Sequence, residues 1–277
     1  MPGTISAIPS VGECRGQVLH GLITLQMSHV DVILQDLTPL FFGRACGSSS
    51  LSFESALRLV ELLRSLNIDA TPVTELLALI QVLPEMDAIY TPLFKKGELE
   101  SARGSDVSTR YGSPVAGLLQ QYVAGRHEYW QRCKRAAIVW DWIQGLPVEE
   151  IERRYAINPF QGVVNYGDIS RITENTRFHL RSAHQVIAAL IVDKPEWLKG
   201  VDDLIAQLEF GLPTPAMSLV KLPMRLTRGQ YLTLHRAGLN NLADLASLDK
   251  GKLAEYIGKQ AAARLSEHLN AEKLVNV

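Results

Sequence analysis

Residues 168–192, DISRITENTRFHLRSAHQVIAALIV, place apolar side chains at intervals of three and four, and this spacing constrains the segment to a long amphipathic helix. One stripe of the predicted helix is apolar and made of Ile169, Ile172, Thr176, Leu180, Ala183, Ile187 and Leu190. Because each residue advances about 100° around the axis, a second stripe lies roughly opposite. It consists of Arg171, Asn175, Phe178, Ser182 and Gln185, and we expect it to face solvent.

One aromatic ring interrupts this polar stripe. Phe178 follows Arg171 by two helical turns and lies on the same face. A cation and a ring on one exposed face suit a single-stranded nucleic acid, because the cation pairs with a phosphate and the ring stacks on a base. Aromatic rings in helices also commonly serve packing. The pattern therefore leaves two interpretations open, which are contact with a strand and contact with a neighbouring helix or domain.

Composition narrows the class of protein. The chain of 277 residues has a formal net charge of −1, so any affinity for a polyanion must come from a few arginines that face one way. Its 3 cysteines form no C-x-x-C pair, which argues for a reducing compartment and against a zinc site. The sequence also has no apolar run long enough for a membrane span and no secretory start. We therefore expect a cytoplasmic protein without a membrane partner, associated with the nucleoid if it binds DNA.

Periodicity predicts an all-α chain with three parts. Residues 1–45 fit a partial winged-helix-like segment, residues 46–200 a helical bundle and residues 201–277 a small domain of short helices. Within the bundle, residues 95–113 look like a polar loop, and Asp168 looks like the cap of the long helix. The predicted helices are 53–66, 73–83, 115–124, 127–144, 147–155, 168–192, 201–210, 230–237, 241–247, 250–257 and 260–269.

Motifs of enzyme chemistry are missing from the sequence. It contains no G-x-x-x-x-G-K-[ST] loop for nucleotide phosphates, no G-x-S-x-G nucleophile turn and no H-E-x-x-H metal pair. The paired acids, such as Glu149 with Glu150, stand at predicted helix starts, where they complement the helix dipole. We therefore predict no catalytic, cofactor or metal residues in this chain.

Residues 140–178 carry the strings WDWIQG, EEIERRY and GDISRITENTRF in order. This region resembles the ratchet domain of Ski2-like superfamily 2 helicases, most closely the archaeal repair helicases and the helicase part of DNA polymerase theta. In that family a G-D-[IL]-x-R segment begins a long ratchet helix, whose arginine and an aromatic seven residues later contact the translocated strand. The matching positions are Arg171 and Phe178. Phenylalanine in place of the usual tryptophan keeps a stacking face but loses area and the indole N–H.

The resemblance extends over residues 37–269. Residues 37–57 are similar to the junction between winged helix and ratchet, residues 76–90 to the next helices, and residues 208–223 to the entry into a helix-hairpin-helix domain. It implies a helical ratchet bundle followed by a helix-hairpin-helix-like domain. It also makes Asn175 and Arg181, which stand near the matched positions, further candidates for contact with the strand.

Two departures from the family matter. The two RecA-like domains of its ATPase are absent, so ATP and Mg²⁺ are expected only in an associated motor. The hairpin, which in the family reads like L-P-G-I-G, has Met224 and Leu226 in place of glycines. Close approach of the backbone to a phosphate is therefore sterically unfavourable. Arg225 and Arg228 remain candidates that supply charge there.

The main hypothesis is a non-catalytic helicase-like module that binds single-stranded DNA for a RecA-like motor in cis or in trans. An alternative is a protein-interaction subunit that docks on a RecA-like ATPase with little nucleic-acid binding of its own. A further alternative is RNA as the bound strand, because nothing in these residues reads a 2′-hydroxyl.

Overall fold

The computed structural model describes residues 47, 49–93, 100–156, 164–191 and 193–275, with side chains up to residue 268. Within these ranges the chain is helical and contains no strand, which confirms the predicted all-α class. The winged-helix-like segment predicted for residues 1–45 lies outside the described residues.

The described helices follow the chain in a simple order. They are α1 (Phe53–Arg64), α2 (Leu76–Leu79), α3 (Pro84–Asp87), α4 (Arg103–Tyr111), α5 (Ser113–Leu118), α6 (Arg126–Ile143), α7 (Val148–Tyr155), α8 (Tyr166–Leu190), α9 (Pro195–Phe210), α10 (Arg228–Arg236), α11 (Leu242–Ala246), α12 (Lys250–Ile257) and α13 (Lys259–Val275). Short 3-10 turns occupy Val73–Glu75, Ile80–Val82, Glu100–Ala102 and Thr214–Lys221.

Helix α8 begins earlier than the sequence predicted. Its N-cap is Asn165, whose side chain accepts a hydrogen bond from the backbone N–H of Asp168 at 3.1 Å. The carboxylate of Asp168 accepts from the backbone N–H of Asn165 at 3.2 Å, and the two residues form a capping box. The prediction of Asp168 as the N-cap was therefore wrong. Asn165 is the N-cap, and Asp168 is the third residue of the helix.

The predicted loop at residues 95–113 is largely helical in its described part. Helix α4 (Arg103–Tyr111) forms there although its sequence contains glycine and two serines. Val107 and Tyr111, one turn apart, are buried, and the Tyr111 hydroxyl donates to the carbonyl of Ala136 at 2.9 Å. Packing against α6 thus outweighs the weak local helix propensity, because most helix stability in proteins comes from a buried face.

Two hydrophobic cores divide the described chain into units. The first unit, residues 51–208, is built around α6 and α8, and apolar residues of α9 such as Val201 and Leu204 belong to its core. The second unit, residues 212–265, has a core of its own. The change of core lies at Gly211, where α9 ends in a left-handed conformation with φ of 63°. The division proposed at residue 200 falls inside α9, so we place the boundary after Gly211.

Candidate nucleic-acid interface

The two stripes of α8 face as the periodicity predicts. All residues of the apolar stripe are buried except Leu190, which is half-buried. On the opposite stripe Arg171, Phe178 and Gln185 are exposed, and Asn175 and Ser182 are half-buried. The Phe178 side chain is 54% exposed, although phenylalanine is among the residue types most often buried. Within the described residues, Phe178 is therefore a surface residue rather than a core residue.

The Arg171 guanidinium is oriented by two neighbours. Its Nη2 donates to Oδ1 of Asp168 at 2.6 Å and to the carbonyl of Tyr90 at 3.3 Å. The side chain remains 45% exposed. Both bonds use Nη2, so Nε and Nη1 make no hydrogen bond with a described residue. An arginine fixed at one edge and open at the other is suited to accept an anion.

Asn175 and Arg181 flank the ring of Phe178 in different ways. The Asn175 amide donates to the carbonyl of Arg171 at 2.7 Å, so this side chain is tied to its own helix. Arg181 is exposed and makes no ion pair with another described residue. It lies one turn beyond Phe178 and about 60° around the axis. Of the two residues, only Arg181 carries a charge, and no described residue pairs with it.

Arg225 lies in the second unit, whereas Phe178 lies in the first. Its side chain is 73% exposed, its guanidinium lies 5.2 Å from the centre of the Phe210 ring, and Nη2 is 3.9 Å from Glu209. Glu209 also pairs with Arg177 of α8 at 2.9 Å. This carboxylate therefore links α8 to the turn of the second unit and partly neutralises both arginines.

Arg228 is engaged at the joint between the two units. Its Nε donates to the carbonyl of Gly211 at 2.9 Å, and Nη2 donates to the carbonyls of Trp142 at 3.1 Å and Leu146 at 2.8 Å. The guanidinium stacks 4.0 Å from the centre of the Trp142 ring, and burial lowers the pKa of Arg228 to about 10. These contacts already satisfy most of its donors. We therefore leave Arg228 out of the surface proposed below, contrary to the expectation from sequence.

His179 places a titratable ring next to Phe178. The two rings meet edge to face with centres 5.2 Å apart. The His179 side chain is buried, its Nδ1 has no hydrogen-bond partner among the described residues, and burial lowers its pKa below the ordinary 6.5. The His179 ring that meets Phe178 is therefore mainly neutral at neutral pH.

Tyr90 is a surface residue that the sequence did not single out. Its side chain is 69% exposed, and its carbonyl is the second acceptor for Arg171. The periodicity of α8 gave no sign of this neighbour, because Tyr90 lies 81 residues away in the chain. Its only local signal is its position two residues before Pro92, at the end of an apolar segment, which is typical of a turn.

Two searches of the described residues were negative. No group of three or more His, Cys, Asp or Glu side chains lies close enough to hold a metal ion in this part of the chain. No helix among the described residues is long and apolar enough to cross a membrane. The exposed stripe of α8 offers one guanidinium group, two amides, one hydroxyl and one aromatic ring.

Comparison with known proteins adds a partial relationship. No protein-family model matches the chain. An ATP-dependent DNA helicase Hel308 from Thermococcus kodakarensis is 28% identical over 145 residues, which are 52% of this chain and 12% of the helicase. The Hel308 helicase of Methanocaldococcus jannaschii is 28% identical over 142 residues, 50% of this chain and 10% of the helicase. The chain thus matches about a tenth of the length of these curated relatives. About half of this chain is therefore similar to a region of these helicases.

Proposed function

We propose that this chain is a helicase-like module that binds single-stranded DNA through the exposed stripe of α8. The observation that carries the proposal is the exposure of Phe178, at 54%, on the same helix face as the half-open guanidinium of Arg171. These two residues stand where the resemblance to Ski2-like helicases expects an arginine and a stacking ring. The relatives are named as DNA helicases, which favours DNA over RNA as the strand.

Arg171 and Phe178 make different contacts with the strand in this proposal. Arg171 pairs with a phosphate through Nε and Nη1, while Asp168 and the Tyr90 carbonyl keep its plane fixed. Phe178 lies about 10 Å further along the axis, since seven residues rise 1.5 Å each, and stacks on a base. Such a stack contributes about 1–3 kcal/mol. Arg181 supplies a second charge beyond the ring, and Arg225 a third on the surface of the second unit.

In this proposal the motor is a RecA-like ATPase, either in a separate polypeptide or in another part of a longer protein. The relatives are named as ATP-dependent, and this sequence has no phosphate-binding loop with a lysine. ATP and Mg²⁺ therefore bind to the motor in this proposal. The exposed stripe of α8 holds the strand while the motor moves it.

The test is a fluorescence-anisotropy titration with a labelled single-stranded oligonucleotide at low salt. Arg171→Ala and Phe178→Ala each raise the Kd about tenfold, because each removes one contact of about 1.4 kcal/mol. Phe178→Trp keeps a stacking face and binds at least as tightly as the wild type. The matched control is Arg153→Ala, which removes an exposed arginine of α7 that makes no ion pair with a described residue.

If the affinity for the single-stranded oligonucleotide is unchanged in both Arg171→Ala and Phe178→Ala, the proposal is wrong. A duplex and a single-stranded RNA of the same sequence are titrated in parallel. Tighter binding of the RNA than of the DNA would transfer the proposal to RNA.

One observation favours the alternative of an interaction subunit. The turn that corresponds to the hairpin is filled by side chains, because Leu226 is 5% exposed in the second core and Met224 packs against it. A backbone phosphate contact is sterically blocked at such a turn. A stable complex with a RecA-like ATPase, together with no oligonucleotide binding at low salt, would establish this alternative.

A further inference from the structure

Tyr90 is the most exposed large hydrophobic side chain of the described residues, at 69%. It lies in the short connection after α3, between Ile89 and Thr91, which are both buried. Rings of this size normally lose water contact when the chain folds. A tyrosine that points outward between two buried neighbours therefore calls for an explanation.

Three side chains of α6 donate hydrogen bonds to this connection. Arg135 Nη1 donates to Oγ1 of Thr91 at 3.2 Å, and Gln131 Nε2 donates to the carbonyl of Thr91 at 3.0 Å. Lys134 Nζ donates to the carbonyl of Pro92 at 2.7 Å. The backbone on the C-terminal side of Tyr90 is therefore fixed by hydrogen bonds to one rigid helix.

Two of these supports are fully buried cations. Arg135 pairs with Asp87 at 2.9 Å, and Lys134 pairs with Glu100 at 2.8 Å. Burial lowers the pKa of both, that of Arg135 to about 10. A buried ion pair adds little net stability in general. Here the two pairs hold a surface connection in one place, which is the arrangement of loops that carry binding residues on a rigid scaffold.

The same connection meets the exposed stripe of α8. The carbonyl of Tyr90 accepts from Arg171 Nη2 at 3.3 Å, so Tyr90 lies immediately beside the arginine. Phe178 is two turns away from that arginine along α8. The cation thus contacts the backbone of a residue from another element whose ring is exposed, and a second exposed ring lies further along its own helix.

We propose that Tyr90 is a second base-stacking residue, so that a single DNA strand runs from Phe178 past Arg171 to Tyr90. The inference rests on the function proposed above, because it extends the same surface. Negative charge on the strand matches the guanidinium, and stacking is tolerant of sequence because every base has an aromatic face. The surface therefore binds several successive nucleotides rather than one.

The test compares Tyr90→Leu with Tyr90→Phe by anisotropy on a single-stranded oligonucleotide of about 20 nucleotides, which exceeds the usual site size. Tyr90→Leu raises the Kd about tenfold because it removes the ring, whereas Tyr90→Phe keeps the ring and stays within about twofold. Both variants retain the backbone carbonyl that orients Arg171. Circular dichroism confirms that they are folded.

An abasic strand of the same length separates stacking from any structural effect. With no base to stack, the wild type and Tyr90→Leu bind this strand equally, while Arg171→Ala still weakens it. If the wild type and the Arg171 and Phe178 variants behave as proposed but Tyr90→Leu binds the normal strand like the wild type, only the role of Tyr90 is overturned. If the wild-type protein binds no single strand, the proposed function and this inference fall together.

Discussion

Arg171 and Arg228 show how environment assigns opposite roles to the same side chain. Arg228 meets three backbone carbonyls and the Trp142 ring at the joint between the units. Arg171 meets one carboxylate and one carbonyl through a single nitrogen and stays 45% exposed. Both residues were candidates for nucleic-acid contact from sequence. Only the contacts around each guanidinium distinguish a structural arginine from one that is open to a ligand.

Arg228→Ala is expected to lower the free energy of unfolding by about 2–3 kcal/mol, because it removes the hydrogen bonds to the carbonyls of Gly211 and Leu146, whereas the Trp142 carbonyl still accepts from the N–H of Gly145. Arg228→Lys recovers little, since an ammonium cannot reproduce the planar fork or its stack on Trp142. Urea unfolding followed by circular dichroism measures both changes. Arg153→Ala, the exposed control, stays within about 0.5 kcal/mol of the wild type.

The same Arg228 variants bind single-stranded DNA with wild-type affinity when folded. A large loss of affinity at unchanged stability would contradict the structural role and return Arg228 to the binding surface.

At the scale of the element, periodicity predicted α8 well because one helix face alone decides burial there. The spacing of Ile169, Ile172 and Leu180 defines a face, and the structure buries all three. It therefore also predicted which residues are exposed, Arg171 and Phe178 among them. No such pattern marks Tyr90, whose position depends on side chains of α6 and α8 that are distant in sequence.

Helix α4, in contrast, could not be predicted from periodicity. Its apolar residues are few, so the local pattern indicated a loop, and its stability depends on the contact of Tyr111 with α6. The sequence also contains no local signal for the buried cations of α6, since Arg132, Lys134 and Arg135 look like solvent-exposed residues until their partners are known. Tertiary contacts of this kind cannot be predicted from local sequence patterns.

The buried His179 of α8 leads us to expect that the free energy of unfolding depends on pH. Its folded pKa is lower than the ordinary 6.5 because the ring is buried, so the unfolded chain takes up a proton first as pH falls. Stability is full above pH 6.5 and declines between 6.5 and the lowered folded pKa, by at most about 1.4 kcal/mol per pH unit. Urea unfolding at neutral and mildly acidic pH measures this decline. His179→Gln removes it, and an identical decline in that variant would show that another group is responsible.

At the scale of the whole molecule, charge sets a limit on any account of binding. The formal net charge is −1, and the exposed arginines proposed to reach a strand are Arg171, Arg181 and Arg225. Many other cations of the chain are engaged in ion pairs, as at Asp87 and Glu209. We therefore expect a modest affinity for single-stranded DNA that depends on a few local contacts, rather than the long-range electrostatic attraction of a basic protein.

The two-core organisation places Arg171, Phe178 and Arg181 on the first unit and Arg225 on the second. The second unit is attached through Arg228, Trp142 and Gly211, and a Cβ at Gly211 would lie 2.5 Å from the Trp142 ring. The sequence indicated two units because short helices follow one another closely after Pro195. It did not show that α9 belongs to the first, since amphipathic helices give no sign of which core they join.

The most direct test of the central claim is the salt dependence of single-strand binding in the wild type and in Arg171→Ala. Counterion release predicts a slope of log K against log salt of about −0.7 for each phosphate contact, hence about −2 for three arginines. Arg171→Ala should flatten this slope by about 0.7, whereas Arg153→Ala should leave it unchanged. A slope that is the same in the wild type and Arg171→Ala, or an absence of single-strand binding at low salt, would contradict the account.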